Sequence, residues 1–300
     1  MDRPPDLRRS VLFVAGADAR AHADAIDARA DVLVQDLEDF TPPTLKDEAR
    51  RRSSALFARA RAAGSIVAVR VNRLDDGGLE DLDAVIAGEP ALILLPKADG
   101  GRQIIALADA IEQREVAQGL RPGGIEIVPT AETALGVVRL EEMAQASARV
   151  RSCLLGAEDL AADLMAERGP DGDELAYARR RFLLECRAAG IEPIDAPYTY
   201  SDEAGCERET LRSRRLGYRC KSTVTPAHVG AIHRVLTPGE EQIEAARRVV
   251  AGFEAARAEG KDRALVDGLW IEPPAYRNAQ RLLARADQFA RASRPVSAPR

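Results

Sequence analysis

Cysteine and histidine are scarce in this chain of 300 residues, with four of the first and three of the second. Cys153, Cys186, Cys206 and Cys220 show no tight spacing, and with so few histidines they cannot form a zinc-ligand set. The opening residues, Met1-Asp2-Arg3-Pro4-Pro5, lack the apolar core of a secretory signal, and no apolar run approaches the length of a membrane span. The expectation is a reduced, cytoplasmic enzyme with no membrane partner. No glycine-rich turn joins a strand-like run to a helix, so nucleotide-binding fingerprints are unsupported. Concentrated positive charge is missing too. The 43 Lys and Arg are scattered through a chain of net charge −5, which is a poor surface for nucleic acid.

Against these absences stands a regular alternation. Apolar, often β-branched runs occur near 10–15, 32–37, 66–71, 91–95, 125–129, 152–156, 192–195 and 218–224. Between them lie Ala-, Arg- and Glu-rich segments of helical periodicity, such as 19–29, 45–63 and 101–118. Eight strands at this spacing suit a (β/α)8 TIM barrel, which is the expected fold; an open doubly wound sheet is the alternative. The barrel is expected over residues 1–236 and a helical extension over 237–300, with helices at 238–259 and 276–292 around a short segment, 264–274. That extension exceeds what a barrel needs, so it either caps the barrel or reaches a neighbouring subunit. His22 reads as a residue on a polar helix face, and His228 and His233 as flanking a helix; none is read as catalytic.

Charge falls at the ends of the strand-like runs. Asp36, Glu38 and Asp39 follow one, Arg70 ends the next, and Lys97, Glu132 and Asp159 follow the three after that. In a barrel all strand ends open on one C-terminal face, so these side chains meet there. Carboxylates converging with an Arg and a Lys point to a hard divalent metal and an anionic substrate. Each also has a structural reading. Glu132 could cap the helix starting near Thr133, and Asp159 could favour the first turn of a helix over 160–167. Arg70 could form an interstrand ion pair, with Glu38 as bidentate partner. Lys97 could hold an anion or form a Schiff base.

Six stretches then appear in order: Arg9-Ser10-Val11-Leu12-Phe13-Val14-x-Gly16, Asp36-Leu37-Glu38-Asp39, Arg70-Val71-Asn72, Leu95-Pro96-Lys97, Glu132-Thr133-Ala134-x-Gly136 and Gly156-Ala157-Glu158-Asp159-Leu160. Over about residues 8–292 the set resembles the HpcH/HpaI aldolase and citrate lyase family, in its citrate lyase β-subunit-like branch. The resemblance implies a TIM barrel, bound Mg2+ or Mn2+, and cleavage between carbons of a malyl-, citramalyl- or citryl-coenzyme A type thioester. It also implies homotrimers or homohexamers. Position by position, it implies Glu132 and Asp159 as metal ligands and Arg70 as the residue holding the oxo-acid part and the enolate. Asp36 and Glu38 are implied as the acidic pair behind them, and Phe13, Arg20 and Lys97 as further substrate-binding residues. Val266-Asp267-Gly268-Leu269-Trp270-Ile271-Glu272 resembles a tail motif whose acidic residue serves a neighbour's site, here as Glu272 in place of Asp.

Two departures concern coenzyme A. The first loop is Ala15-Gly16-Ala17-Asp18-Ala19-Arg20, and a basic position four residues on is Asp24. Near the eighth strand Thr225 replaces a histidine. Three alternatives stay open: a metal-dependent aldolase on free 2-oxo acids, a Schiff-base aldolase using Lys97 or Lys221, and a non-catalytic accessory subunit.

Overall fold

The computed structural model describes residues 3–292. Eight parallel strands close into a barrel in chain order: β1 (Ser10–Ala15), β2 (Val32–Asp36), β3 (Ile66–Arg70), β4 (Leu92–Leu95), β5 (Glu126–Ala131), β6 (Ser152–Leu155), β7 (Glu192–Asp195) and β8 (Cys220–Thr223). Closure is made by β1 on β8, with Ser10 opposite Lys221 and Leu12 opposite Thr223, which removes the open-sheet alternative.

The two-residue period of a strand sorts its side chains. Val11, Phe13, Val32, Val34, Ile66, Ala68, Leu92, Leu94, Val128, Leu154 and Ile194 pack together inside the barrel. The intervening Leu12, Leu33, Val67, Val69, Ile93, Leu95, Ile127 and Leu155 join a larger cluster with helix residues such as Leu56, Phe57, Ile104 and Phe182. Helices Lys46–Ala62, Gly101–Ala117 and Ala176–Ala188 supply that outer layer. Near the N-terminal strand ends, Glu126 takes a bond from Arg8 Nη1 (2.8 Å) and another from Ser152 Oγ (2.6 Å).

Two histidine expectations are corrected. His22 is buried rather than on a polar face, because the helix Ala19–Asp27 turns His22 and Ala25, three residues apart, inward. Its Nε2 lies 2.9 Å from the Ala15 carbonyl oxygen, and burial lowers its pKa. His228 and His233 do not flank a helix: they belong to one, His228–Leu236, and His233 Nε2 lies 2.8 Å from Ser10 Oγ.

The chain divides into two compact units between His233 and Arg234, inside that helix, whereas the expected division at 236/237 falls at its end. The second unit holds helices Glu240–Ala258 and Pro273–Ala292 and an antiparallel pair, β9 (Ala264–Val266) and β10 (Leu269–Ile271). The pair lies within the short segment expected over 264–274. Its turn is Asp267-Gly268, at φ 51° and 79°, the left-handed backbone that a two-residue hairpin requires. The last helix begins at Pro273, earlier than expected, since proline's missing N–H costs nothing in a first turn. Phe253, Ala256, Ala264 and Ile271 form this unit's core, and Phe253 stacks on Tyr276 at 4.7 Å. Trp270, the only tryptophan, is 59% exposed, with the Arg263 guanidinium 4.4 Å from its ring centroid. All four cysteines are buried and none is in a disulfide, and among the described residues no helix is long and apolar enough to cross a membrane.

Candidate active site

Asp36 and Arg70 end adjacent strands and are register partners. Counting by twos from Val32 and Ile66 turns both toward the barrel axis. Arg70 Nε donates to Asp36 Oδ1 at 2.9 Å, and its Nη2 bonds the other oxygen. Nη1 lies 3.0 Å from Glu38 Oε2. The bidentate partner is therefore Asp36, not Glu38 as expected, because Glu38 lies beyond the strand end, where its own N–H donates to Asp36 Oδ1 (2.8 Å). The guanidinium sits 5.3 Å from the ring centroids of both Phe13 and Phe40. Burial works against its charge, but Asp36, Glu38 and Glu132 outweigh it and raise its pKa.

Lys97 leaves β4 in the left-handed region, at φ 48°. That turn aims its backbone N–H at Glu132, whose Oε1 accepts it at 2.6 Å. Its ammonium donates to Glu38 Oε1 and, at 3.3 Å, to Asp39 Oδ2. Partial burial opposes this charge, yet the bond to Glu38 raises the pKa. Schiff-base chemistry needs a neutral amine, so Lys97 is poorly suited to it. Lys221 is excluded by direction as well. It sits on β8 next to inward-facing Cys220, so it points out toward the helices. There, 1% exposed, it donates to Asp195 Oδ2 (2.9 Å) and Ala196 O (2.6 Å) and pairs with Glu209 Oε2 (2.8 Å).

Glu132 directly follows β5 and continues its inward series Val128, Thr130. It does not cap the following helix, Ala134–Val138; Thr133 does, by accepting from the Gly136 N–H at 2.9 Å. The Glu132 carboxylate occupies the space a side chain at Gly156 would fill, since a Cβ there would lie 2.5 Å from its Oε2. Burial above all, with the charges of Asp159 and Glu38, pushes its pKa up to about 7 against the Lys97 amide and Arg70. Asp159 is half-buried in the first turn of Glu158–Asp163, a helix that starts and ends earlier than expected.

Among the described residues no group of three or more His, Cys, Asp or Glu side chains forms a ready-made metal cage. Two carboxylates, Glu132 just after β5 and Asp159 in the helical turn that follows β6, nonetheless suit a hard ion that keeps its other positions for water and substrate. The upward shift at Glu132 is the mark of negative charge crowded into a buried place, which a divalent cation would relieve.

The HpcH/HpaI aldolase/citrate lyase family matches residues 9–226. The chain belongs to this family. The citrate lyase subunit beta of Escherichia coli K12 is 36% identical over 95% of both chains. A (3S)-malyl-CoA thioesterase of Cereibacter sphaeroides is 31% identical, over 94% of this chain and 95% of its own. Among solved structures, the protein CitE from Mycobacterium tuberculosis, in complex with magnesium, acetoacetate and coenzyme A, superposes with a TM-score of 0.75. It is 27% identical and covers 93% of this chain and 97% of its own.

The structure also places the positions at which this HpcH/HpaI member departs from its family's pattern. Asp18 caps the helix Ala19–Asp27, accepting from the N–H groups of Arg20 (2.9 Å) and Ala21 (3.0 Å). Arg20 and Asp24 are exposed on that helix, one turn apart and thus on the same side. Thr225 lies in the turn after β8, where its N–H donates to Thr223 Oγ1 (3.2 Å) and its carbonyl accepts from His228 N (3.0 Å). Glu272, in the second unit, is the exposed residue between β10 and the helix Pro273–Ala292. Sequence reasoning missed Gly156 and the Lys97 amide. A glycine at a strand end beside an inward acid was the available sign of the first. Nothing in the sequence signals the left-handed lysine.

Proposed function

We propose that this family member is a divalent-metal-dependent carbon–carbon lyase. Its substrate would be a 3-hydroxyacyl thioester of a short di- or tricarboxylic acid, of the malyl-, citramalyl- or citryl-coenzyme A type, and its products an acyl thioester and a 2-oxo acid. The observation that carries this reading is the buried carboxylate of Glu132, short of positive charge and set beside a guanidinium that Asp36 and Glu38 hold in place at the strand ends. The magnesium and coenzyme A named in the Mycobacterium tuberculosis complex support it.

Glu132 and Asp159 would hold Mg2+, which when bound lowers the pKa of a substrate hydroxyl and polarises a carbonyl. The protein's own groups do the rest. Arg70, locked by Asp36 and Glu38, holds the acid's carboxylate and faces the oxygen on which enolate charge develops. Phe13 and Phe40 keep water from it. A base takes the hydroxyl proton, that carbon becomes the oxo acid's carbonyl, and the broken bond's electrons pass to the thioester as an enolate. Protonation of the enolate yields the acyl thioester. Glu272 of a neighbouring copy in a homotrimer or homohexamer is our proposed acid or base.

A second reading has one observation in its favour: Asp24, exposed one turn beyond Arg20, would repel a pyrophosphate approaching that face. It is an aldolase acting on free 2-oxo acids. The two separate when the protein is incubated with malyl-, citramalyl- and citryl-coenzyme A and the matching free hydroxy acids, with Mg2+ or EDTA, and products are read by mass spectrometry. Mg2+-dependent cleavage of a thioester alone supports the first reading. Cleavage of a free acid alone overturns it in favour of the second, and equal rates in EDTA reject both.

A further inference from the structure

We infer that the Thr130 hydroxyl touches the substrate, donating to a carboxylate or carbonyl oxygen of the oxo-acid part from the floor of the site. The inference rests on the lyase reading and adds a residue to it.

Thr130 belongs to the inward series of β5, two residues below Glu132 and so roughly 7 Å down the same strand face. It is 2% exposed, and its Oγ1 has no hydrogen-bond partner. Buried hydroxyls nearly always find one, through the backbone, a side chain or water. The usual outlets are closed here. The residue's own carbonyl accepts from Ala98 N at 3.1 Å. Following the strand pairing around the barrel, inward side chains of alternate strands share a layer, which puts Thr130 level with Phe13 of β1 and Arg70 of β3. Phe13 offers no polar atom. Arg70 has no acceptor, and none of its five N–H donors bonds Thr130: Nε and one on Nη2 serve Asp36 and one on Nη1 faces Glu38, which leaves one each on Nη1 and Nη2 for an incoming anion.

A barrel interior filled for packing alone would carry Val at this position, which has Thr's shape without the unmatched oxygen. The hydroxyl therefore has a use only when something polar enters from the strand ends. The layer above is where the Glu132 carboxylate lies, and the ligand chemistry is already set by the guanidinium beside it. An anionic oxygen held by Arg70 from the β3 wall can accept a neutral, directional bond from the β5 wall. Charge from one side and direction from the other distinguish a planar carboxylate or oxo group from a spherical anion.

Thr130→Val tests this by two readouts that move in opposite senses. The free protein, relieved of an unmatched hydroxyl, is expected to melt at or above the wild-type temperature. Calorimetric affinity for glyoxylate, pyruvate and oxaloacetate in Mg2+, whichever of them the wild type binds, is expected to fall by about tenfold. Thr130→Ser keeps the hydroxyl and should keep most of the affinity; Thr130→Ala, should Val pack badly, should lose it. Unchanged affinity in Thr130→Val overturns the inference, as does a lower melting temperature restored by Ser with affinity unmoved. If wild-type protein binds none of the three acids in Mg2+, the lyase reading itself fails, an outcome distinct from a wild type that binds and a valine variant that binds equally well.

Discussion

Two buried ionic clusters built from the same residue types lie in the barrel unit. Asp36, Glu38, Arg70, Lys97 and Glu132 gather at the C-terminal strand ends. Asp195, Lys221, Arg179 and Glu209 lie between the barrel wall and the helices. The outer cluster is closed. Asp195 accepts from Arg179 Nε (3.1 Å) and Nη2 (2.8 Å), Ser213 Oγ (2.6 Å) and Lys221 Nζ (2.9 Å). Burial works against that carboxylate's charge, yet Arg179 and Lys221 hold its pKa far below the usual range. The inner cluster is open, for Glu132 is moved the other way, up to about 7. One step of strand parity separates the two outcomes. Facing outward, a buried charge can be surrounded by helix partners until nothing is left over; facing inward near the strand ends, it keeps capacity for a ligand.

The contrast can be broken from either side. Lys221→Met leaves Asp195 without its nearest ammonium and is expected to cost about 3–5 kcal/mol of stability, seen in denaturant unfolding, with turnover per folded molecule intact. Loss of turnover in well-folded Lys221→Met would show that the outer cluster is not merely structural. Glu132→Gln should do the reverse, lowering kcat/KM by about 3–4 kcal/mol of transition-state stabilisation while melting no lower than wild type. Gly156→Ala sharpens the comparison without touching a charge. A Cβ 2.5 Å from both Cβ and Oε2 of Glu132 must displace that carboxylate, so turnover should fall while overpacking costs about 1–3 kcal/mol.

The smallest effect is expected at the N-terminal start of β1, where His233 meets Ser10 and Asp31. Burial, joined by Arg9 and Arg3 against Asp31, draws the His233 pKa down from 6.5 to about 4. The unfolded chain therefore takes up this proton first, and stability should decline as pH falls from about 6.5 toward about 4. Asp31 has the opposite charge and adds a later loss. Burial opposes its ionisation, but the bond from Arg9 outweighs it and brings the pKa to about 2, so its contribution is present above 3.8 and disappears as pH falls through about 2. His233→Gln should flatten the first window and leave the second, as measured by melting temperature against pH.

The strands were legible because apolar β-branched runs and their charged ends follow from burial on both faces of a parallel sheet. That the charges meet followed once closure was assumed. What could not be read was direction beyond the strand ends. Asp36 and Glu38 are both acids near one strand end, and only the register of β2 on β3 decides which takes the guanidinium face-on. Lys221 read as a possible nucleophile because parity is invisible until an inside has been defined. His22 read as solvent-facing because the polar residues around it, Asp18, Arg20 and Asp24, hide the one turn that faces the barrel. The Asp267-Gly268 turn, by contrast, is a hairpin signal that the sequence carries openly.

The lone tryptophan gives the molecule a spectroscopic asymmetry. Trp270 belongs to the second unit, so indole fluorescence reports that unit and is blind to the barrel except through whatever couples them. With over half its surface exposed, its emission should be quenched readily by soluble iodide. Far-ultraviolet circular dichroism, dominated by the many helices of the barrel unit, supplies the other channel. Recorded together in one denaturant titration, the two signals would coincide if the units melt as one and part company if they do not.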